Sequence, residues 1–365
     1  MMSRFFAVAL GALCSASIAL AQSAAQPAGT PPQSPATQPF LLGPPQDGGP
    51  VVVKANFHLH GLNAIDDEAE TFDFTGVLTL QWKDPRQAFD PRAAGVNEKI
   101  YQGTYQFDEI SPSWYPQDVL VNEAGMYDKS GVVLRSQPDG TQTLVQMVNA
   151  VAKTELKMRR FPFDHHQLEA VFEVFGFDKG EVELQAEPRA GGYPADALRV
   201  PQWTVTGIAI SARDRPATYA GRRGVSSALV LSVEVRRQSF YFVRLIFVPL
   251  AMIVLLSFSV FWMDRSSLGD RISVSFIGIL TSVAYLIVTN DILPRISYVT
   301  LIHGFLNISF LTVSATVVIN LVVGALDRKG KQDTGHLIDR RCRWIFPLVY
   351  FAMVSVIIAI AIILF

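Results

Sequence analysis

Cysteine is scarce in this chain: Cys14 and Cys342 are the two in 365 residues. Cys14 falls inside an apolar leader, so the mature chain keeps Cys342 alone and no disulfide framework can brace it. Charge of one sign is missing too. The net charge of −1 excludes the basic face that a general nucleic-acid binder presents. There is no nucleophile elbow, phosphate loop or paired-carboxylate motif, so no enzyme and no cofactor is read here. His58-x-His60 stands on one strand face without a third ligand nearby, and no metal site is assigned to it.

What is present is unevenly distributed. Residues 1–21 read as a secretory signal: Arg4 supplies the charge, Phe5 to Leu20 is mostly apolar, and Ala19-Leu20-Ala21 has the small-x-small form of a cleavage site. Residues 22–50 carry eight prolines from Pro27 to Pro50 and read as a flexible linker, because such a run cannot bury a core.

From Val51 the pattern has period two. Val51, Val53, Ala55, Phe57 and Leu59 form one apolar face, and Phe72, Phe74, Leu78, Leu80 and Trp82 repeat it beyond the acidic turn Asp66-Asp67-Glu68. Further alternating runs follow, separated by turn signals such as Pro138-Asp139-Gly140 and Gly191-Gly192. With about ten strands at this spacing and no helical period, residues 51–238 read as an antiparallel, immunoglobulin-like β-sandwich.

After Arg236-Arg237 the composition turns apolar. Four membrane spans are expected over about 240–263, 271–292, 298–326 and 344–365, each close to the ~20 residues that cross a bilayer. The basic stretch Asp327–Arg343 between the last two holds Arg328, Lys329, Lys331, Arg340, Arg341 and Arg343. By the positive-inside rule that loop is cytoplasmic, which puts the sandwich and the C-terminus outside, in the periplasm of a bacterial inner membrane.

The second span is not uniformly greasy. Ser273, Ile277, Leu280, Ala284, Ile287 and Asp291 follow spacings of four and three and so form one stripe, polar, then apolar, then acidic. A ring of identical helices around water would use such a stripe. A packing helix whose hydroxyls bond its own backbone is the alternative.

Phe161-Pro162-Phe163-Asp164, in a loop after a strand some eighty residues before the first span, resembles the hallmark loop of the pentameric ligand-gated ion channels, the Cys-loop receptor superfamily. Trp82-Lys83-Asp84-Pro85-Arg86 and Trp114-Tyr115-Pro116-Gln117-Asp118 are similar to two further segments of that family. Pro249 matches its first-span proline, and Leu293-Pro294-Arg295 its linker between the second and third spans. The resemblance covers nearly all of 51–365. The two cysteines that name the eukaryotic receptors would fall at Thr154 and Leu168, so this chain lacks that bridge. With its short loop between the last two spans, it looks like the prokaryotic branch, and Ala284 to Arg295 is most similar to the amine-gated members.

The resemblance implies a homopentamer conducting monovalent cations through the bilayer. The pore would be lined by Ser273, Ile277, Leu280, Ala284, Ile287 and Asp291, with Leu280 and Ile287 as hydrophobic constrictions. Asp270 would set selectivity as an acidic ring beside Arg271, or cap its helix. An agonist site between sandwiches maps onto Phe175, Glu173 and Tyr219, where a carboxylate beside an aromatic face suits a primary amine. Protons are the alternative agonist, and His165-His166 reads as a surface pair that titrates. Coupling to the spans would run through Asp67, Glu68, Phe161, Pro162, Phe163, Asp164, Arg236 and Pro294, with Asp67 or Glu68 paired to Arg236. A membrane-anchored periplasmic sensor that conducts nothing is the reading from another class.

Overall fold

The computed structural model describes residues 43–45, 48–103, 113–188, 198–221, 224–264, 268–295 and 297–364, with backbone alone over 360–364. The expected signal 1–21, most of the linker 22–50 and the turn Gly191-Gly192 lie outside the described residues.

Eleven strands are found among the described residues: β1 (Val51–Asp66), β2 (Thr71–Lys83), β3 (Lys99–Gln102), β4 (Asp118–Leu120), β5 (Glu123–Ser136), β6 (Thr141–Lys153), β7 (His165–Val174), β8 (Val182–Ala186), β9 (Arg199–Val200), β10 (Trp203–Pro216) and β11 (Val225–Arg237). They form a β-sandwich of two sheets, ordered β3-β5-β6-β2-β1-β8 and β4-β7-β11-β10-β9. Every pairing is antiparallel except β1 with β8, where Val51–Ala55 runs parallel to Val182–Ala186. The expectation of a wholly antiparallel sandwich is corrected there, because β8 returns to the edge of the other sheet through a crossover rather than a hairpin.

The period-two pattern explains the core. In β2 each second residue from Phe72 to Trp82 is buried, and Phe57, Phe74 and Phe172 meet across the sheets, with Phe57 and Phe172 stacked at 5.4 Å. Trp82 packs edge to face on Trp114 at 6.0 Å. Two residues on, the buried Asp84 takes Arg86 Nε at 2.8 Å and Nη2 at 2.9 Å and caps a turn of 3-10 helix. The Trp82–Arg86 segment is therefore a clasp of the sandwich.

Four apolar helices long enough to cross a membrane follow: α1 (Phe240–Trp262), α2 (Leu268–Asn290), α3 (Leu301–Arg328) and α4 (Gln332–Leu364). Helix α4 begins at Gln332 rather than at Trp344, since nothing from His336 to Phe346 is proline or glycine and the basic stretch stays helical. Helix α1 widens into a π-helical stretch over Val243–Phe247 just before Pro249. Proline has no N–H for the carbonyl of Leu245, four residues back. The hydroxyl of Tyr285 on α2 donates to that carbonyl at 2.6 Å and reaches the Ile246 carbonyl at 3.3 Å. Where water is absent, such a backbone group needs a partner. Helices α1 and α2 also close on Gly278, where an added Cβ would lie 2.8 Å from Ser257 Oγ.

Candidate functional site

Helix α2 has two unlike faces. Ser273, Ala284 and Asp291 are exposed, and between them Ile277, Leu280 and Ile287 are 63, 70 and 62% exposed. Arg271, Ser275, Ser282 and Thr289 are buried on the opposite side, against the chain's own helices. Ser275, Ser282 and Thr289 donate to the carbonyls four residues back, at 2.8, 3.0 and 2.7 Å. Exposed Thr281 also bonds its own backbone, to the Ile277 carbonyl at 2.8 Å, and the expected stripe is the face that the chain leaves uncovered. A row of large apolar side chains left bare over more than two helical turns marks a surface made for something else.

At the base of this face the charges part. Asp270 is exposed, and Arg271 turns inward to the buried Asp339 of α4, with Nη1 and Nη2 at 3.0 and 2.9 Å from its two oxygens.

The junction between sandwich and spans is built around one buried guanidinium. Arg237 Nη1 and Nη2 donate to Asp67 at 2.8 and 2.9 Å, and its Nε donates to Asp164 at 2.9 Å. Its plane lies 4.0 Å over Trp203 and 4.7 Å from the Phe161 ring. Arg236, expected to make this pair, is exposed and faces away. The reason is strand phase: Leu231, Val233, Val235 and Arg237 share the inward face of β11, and Arg236 has the other. His165 and His166 are corrected as well. They open β7 rather than sit in a loop, and His166 is buried with Nε2 2.6 Å from Asp164 Oδ2. Burial alone would push the Asp164 carboxyl up, but the His166 bond and the charge of Arg237 outweigh it and hold it below the usual carboxylate range. Burial likewise opposes the charge of Arg237, which its two carboxylates restore and strengthen.

The other residues expected to couple lie at the same junction. Pro162 is buried and its carbonyl accepts from Ser239 Oγ at 2.7 Å, just ahead of α1, while Phe163 is exposed. A cavity of about 490 Å³ is lined by Asp67, Glu68, Tyr241, Phe242, Asp291 and Pro294. It joins the β1–β2 turn to the far end of α2. Tyr298, beyond α2, accepts the backbone N–H of Met158 at 2.9 Å.

The third place is the end of β7. Phe175 is exposed just past the strand, and its ring centre lies 6.2 Å from that of Tyr219. The Gly176 N–H donates to the Tyr219 carbonyl at 3.0 Å, tying the two segments together. Beside Phe175 lies a cavity of about 420 Å³ lined by Trp114, Tyr115, Gln117 and Phe177. Glu173 does not share the exposure of Phe175, as its expected place on the same face required. It is fully buried, with Arg215 Nε 4.0 Å away and no hydrogen bond to either carboxylate oxygen among the described residues. Burial pushes its carboxyl above the usual value, and Arg215 with the Ser226 hydroxyl offsets only part of the rise. Sequence reasoning missed Arg215, Arg237 and Asp339 as partners; strand phase was the available signal for the second.

Comparison with known proteins bears on all three places. Residues 40–239 match the family described as neurotransmitter-gated ion-channel ligand binding domain. Residues 246–336 match the neurotransmitter-gated ion-channel transmembrane region. A protein of Gloeobacter violaceus named as a proton-gated ion channel is 27% identical over 316 residues, covering 87% of this chain and 84% of that protein. The human γ-aminobutyric acid receptor subunit rho-3 is 24% identical, over 82% of this chain and 64% of the receptor subunit. A γ-aminobutyric acid receptor subunit beta-like of Drosophila melanogaster is 25% identical, over 76% of this chain and 56% of its own length. The chain thus spans less than two thirds of these receptor subunits.

Proposed function

The chain belongs to the neurotransmitter-gated ion-channel family, a family of pentameric ligand-gated channels, and from that premise we propose that five identical copies ring α2 around a pore for monovalent cations. The observation that carries this reading is the bare face of α2. Ser273, Ile277, Leu280, Ala284, Ile287 and Asp291 stay uncovered in the single chain, which a ring around water requires. Leu280 and Ile287 then form apolar constrictions that shut by dewetting. Asp270 gives five carboxylates at one mouth, which attract cations and repel anions. The cluster Arg328, Lys329, Lys331, Arg340, Arg341 and Arg343 orients that mouth to the cytoplasm and the sandwich to the periplasm of a bacterial inner membrane.

The agonist site of this reading is built from Glu173 of β7, Phe175 two residues on, and Tyr219. A buried carboxylate that its neighbours compensate only in part is relieved either by a proton or by a protonated amine, and the ring faces suit the amine. One relative is named for proton gating and others for γ-aminobutyric acid, which carries a primary ammonium. A ligand opens the pore only by binding the open state better than the shut one. The path to α2 runs through Asp67, Glu68, Phe161, Pro162, Phe163, Asp164 and Pro294, with Arg237 in place of Arg236.

Current across a bilayer holding the purified protein under a salt gradient tests this, with primary amines added first and acid pulses second. We expect reversal near the cation equilibrium potential and a smaller conductance in Asp270→Asn. Reversal at the anion potential would overturn the selectivity. Silence under both stimuli, in protein that is not pentameric, favours the non-conducting sensor.

Glu173→Gln separates the agonist roles. Loss of a charge-assisted contact worth about 1.5–3 kcal/mol should weaken amine activation about 10- to 100-fold. The folded carboxyl binds its proton more tightly than the unfolded one, so its stabilising contribution is largest below the ordinary value near ~4.3 and is lost as pH rises through the folded value. Glu173→Gln should therefore raise the thermal midpoint at neutral pH and leave it unchanged in acid. Amine activation that survives the substitution intact would remove Glu173 from the site.

A further inference from the structure

Asp270 and Arg271 are adjacent and opposite in charge, so the mouth of α2 has no net charge on paper. Packing separates them. Arg271 is 1% exposed and sits among α2, α3 and α4, where its two terminal nitrogens fork onto both oxygens of Asp339. Nη2 also donates to Asn320 Oδ1 of α3 at 3.0 Å, Asn320 Nδ2 donates to Ser275 Oγ at 2.6 Å, and Ser275 returns to the Arg271 carbonyl at 2.8 Å. Three helices are tied by these bonds, and among the described residues Asp339 is the carboxylate paired with Arg271. A guanidinium is kept out of water only by a matched acceptor, and a carboxylate fork is the best match for its geometry.

We propose that Asp339, on a helix with no part in the pore stripe, is a specificity-determining residue of the channel. By holding Arg271 inside, it keeps five positive charges away from the mouth and leaves the five Asp270 carboxylates unopposed. Asn320 and Ser275 position the guanidinium for that fork. This rests on the channel reading above. Without the carboxylate, the long arginine side chain reaches for water beside Asp270, and the ring loses its net charge.

The test is the reversal potential of the intact protein in a bilayer under a potassium chloride gradient. Asp339→Asn should lower the potassium-to-chloride permeability ratio about tenfold, the scale expected when five charges appear a few ångströms from the permeant ion. The double variant Arg271→Gln, Asp339→Asn removes the freed charge and should recover the wild-type ratio. It also decides the matter if Asp339→Asn alone fails to assemble. An unchanged ratio in assembled Asp339→Asn would overturn the inference. So would a double variant more cation-selective than wild type, since Arg271 would then already act on the mouth. A wild-type protein that carries no current removes the channel reading itself, a result distinct from either of these.

Discussion

Arg237→Ala should unfold the junction at a temperature well below that of the unaltered protein. The substitution takes the guanidinium from two carboxylates: Asp164, fully enclosed, keeps its His166 contact, and Asp67, 21% exposed, loses both bonds from Arg237. Removing one partner of a buried ion pair costs about 3–5 kcal/mol, because the remaining charge has neither water nor a counter-ion. For a sandwich of this size, that corresponds to a drop of about 6 to 20 °C in the thermal midpoint. Lost contact with Trp203, Phe161 and Phe242 adds to it. The pH dependence has a definite sign. Asp164 holds its proton less tightly folded than unfolded, so its stabilising contribution is present above the ordinary carboxylate value and disappears as pH falls toward the lower folded one. The gap between Arg237→Ala and wild type should therefore narrow in strong acid. Following the midpoint in detergent from neutral to acidic pH reads both effects. A variant as stable as wild type at neutral pH would mean that the two carboxylates find other donors.

Leu280→Ala should give a channel that leaks without agonist. If the shut ring buries only about one CH₂ equivalent per Leu280, at ~0.8 kcal/mol each, five copies contribute ~4 kcal/mol to the shut state. Their loss shifts the open–shut balance by a factor on the order of 10³. The symmetry of the ring multiplies a small change at each Leu280 into a large one. Current in the absence of ligand, with activation moved to lower agonist concentration, is the readout. Pentamers of Leu280→Ala that stay shut like wild type would take Leu280 out of the constriction.

The bare face of α2 is legible in the sequence because it follows the helical period, and a residue three or four positions away lies on the same side whatever the helix packs against. The sandwich is legible for the same kind of reason, from the alternation in β1 and β2. Arg237 tests the limit of that rule. Counting in twos from Leu231 puts Arg237 inside, yet the change of composition at Arg236-Arg237 hides where the strand ends. Glu173 escapes altogether: β7 is buried on both faces from Ala170 to Val174, so alternation carries no information there. His166 follows the inward phase of that strand, but the neighbouring loop motif draws the eye away from it. The fork from Arg271 to Asp339 joins residues 68 positions apart, and no local pattern announces a contact made by packing three helices together.

The hydroxyl of Tyr285 and the ring of Pro249 complement each other. One position discards a donor and the other restores it, across two helices and through the Leu245 carbonyl. Removing the hydroxyl alone takes the donor from the Leu245 carbonyl, whereas a residue with an N–H at 249 could supply one of its own. The two substitutions are therefore unequal: the tyrosine is dispensable after the proline is replaced, not before.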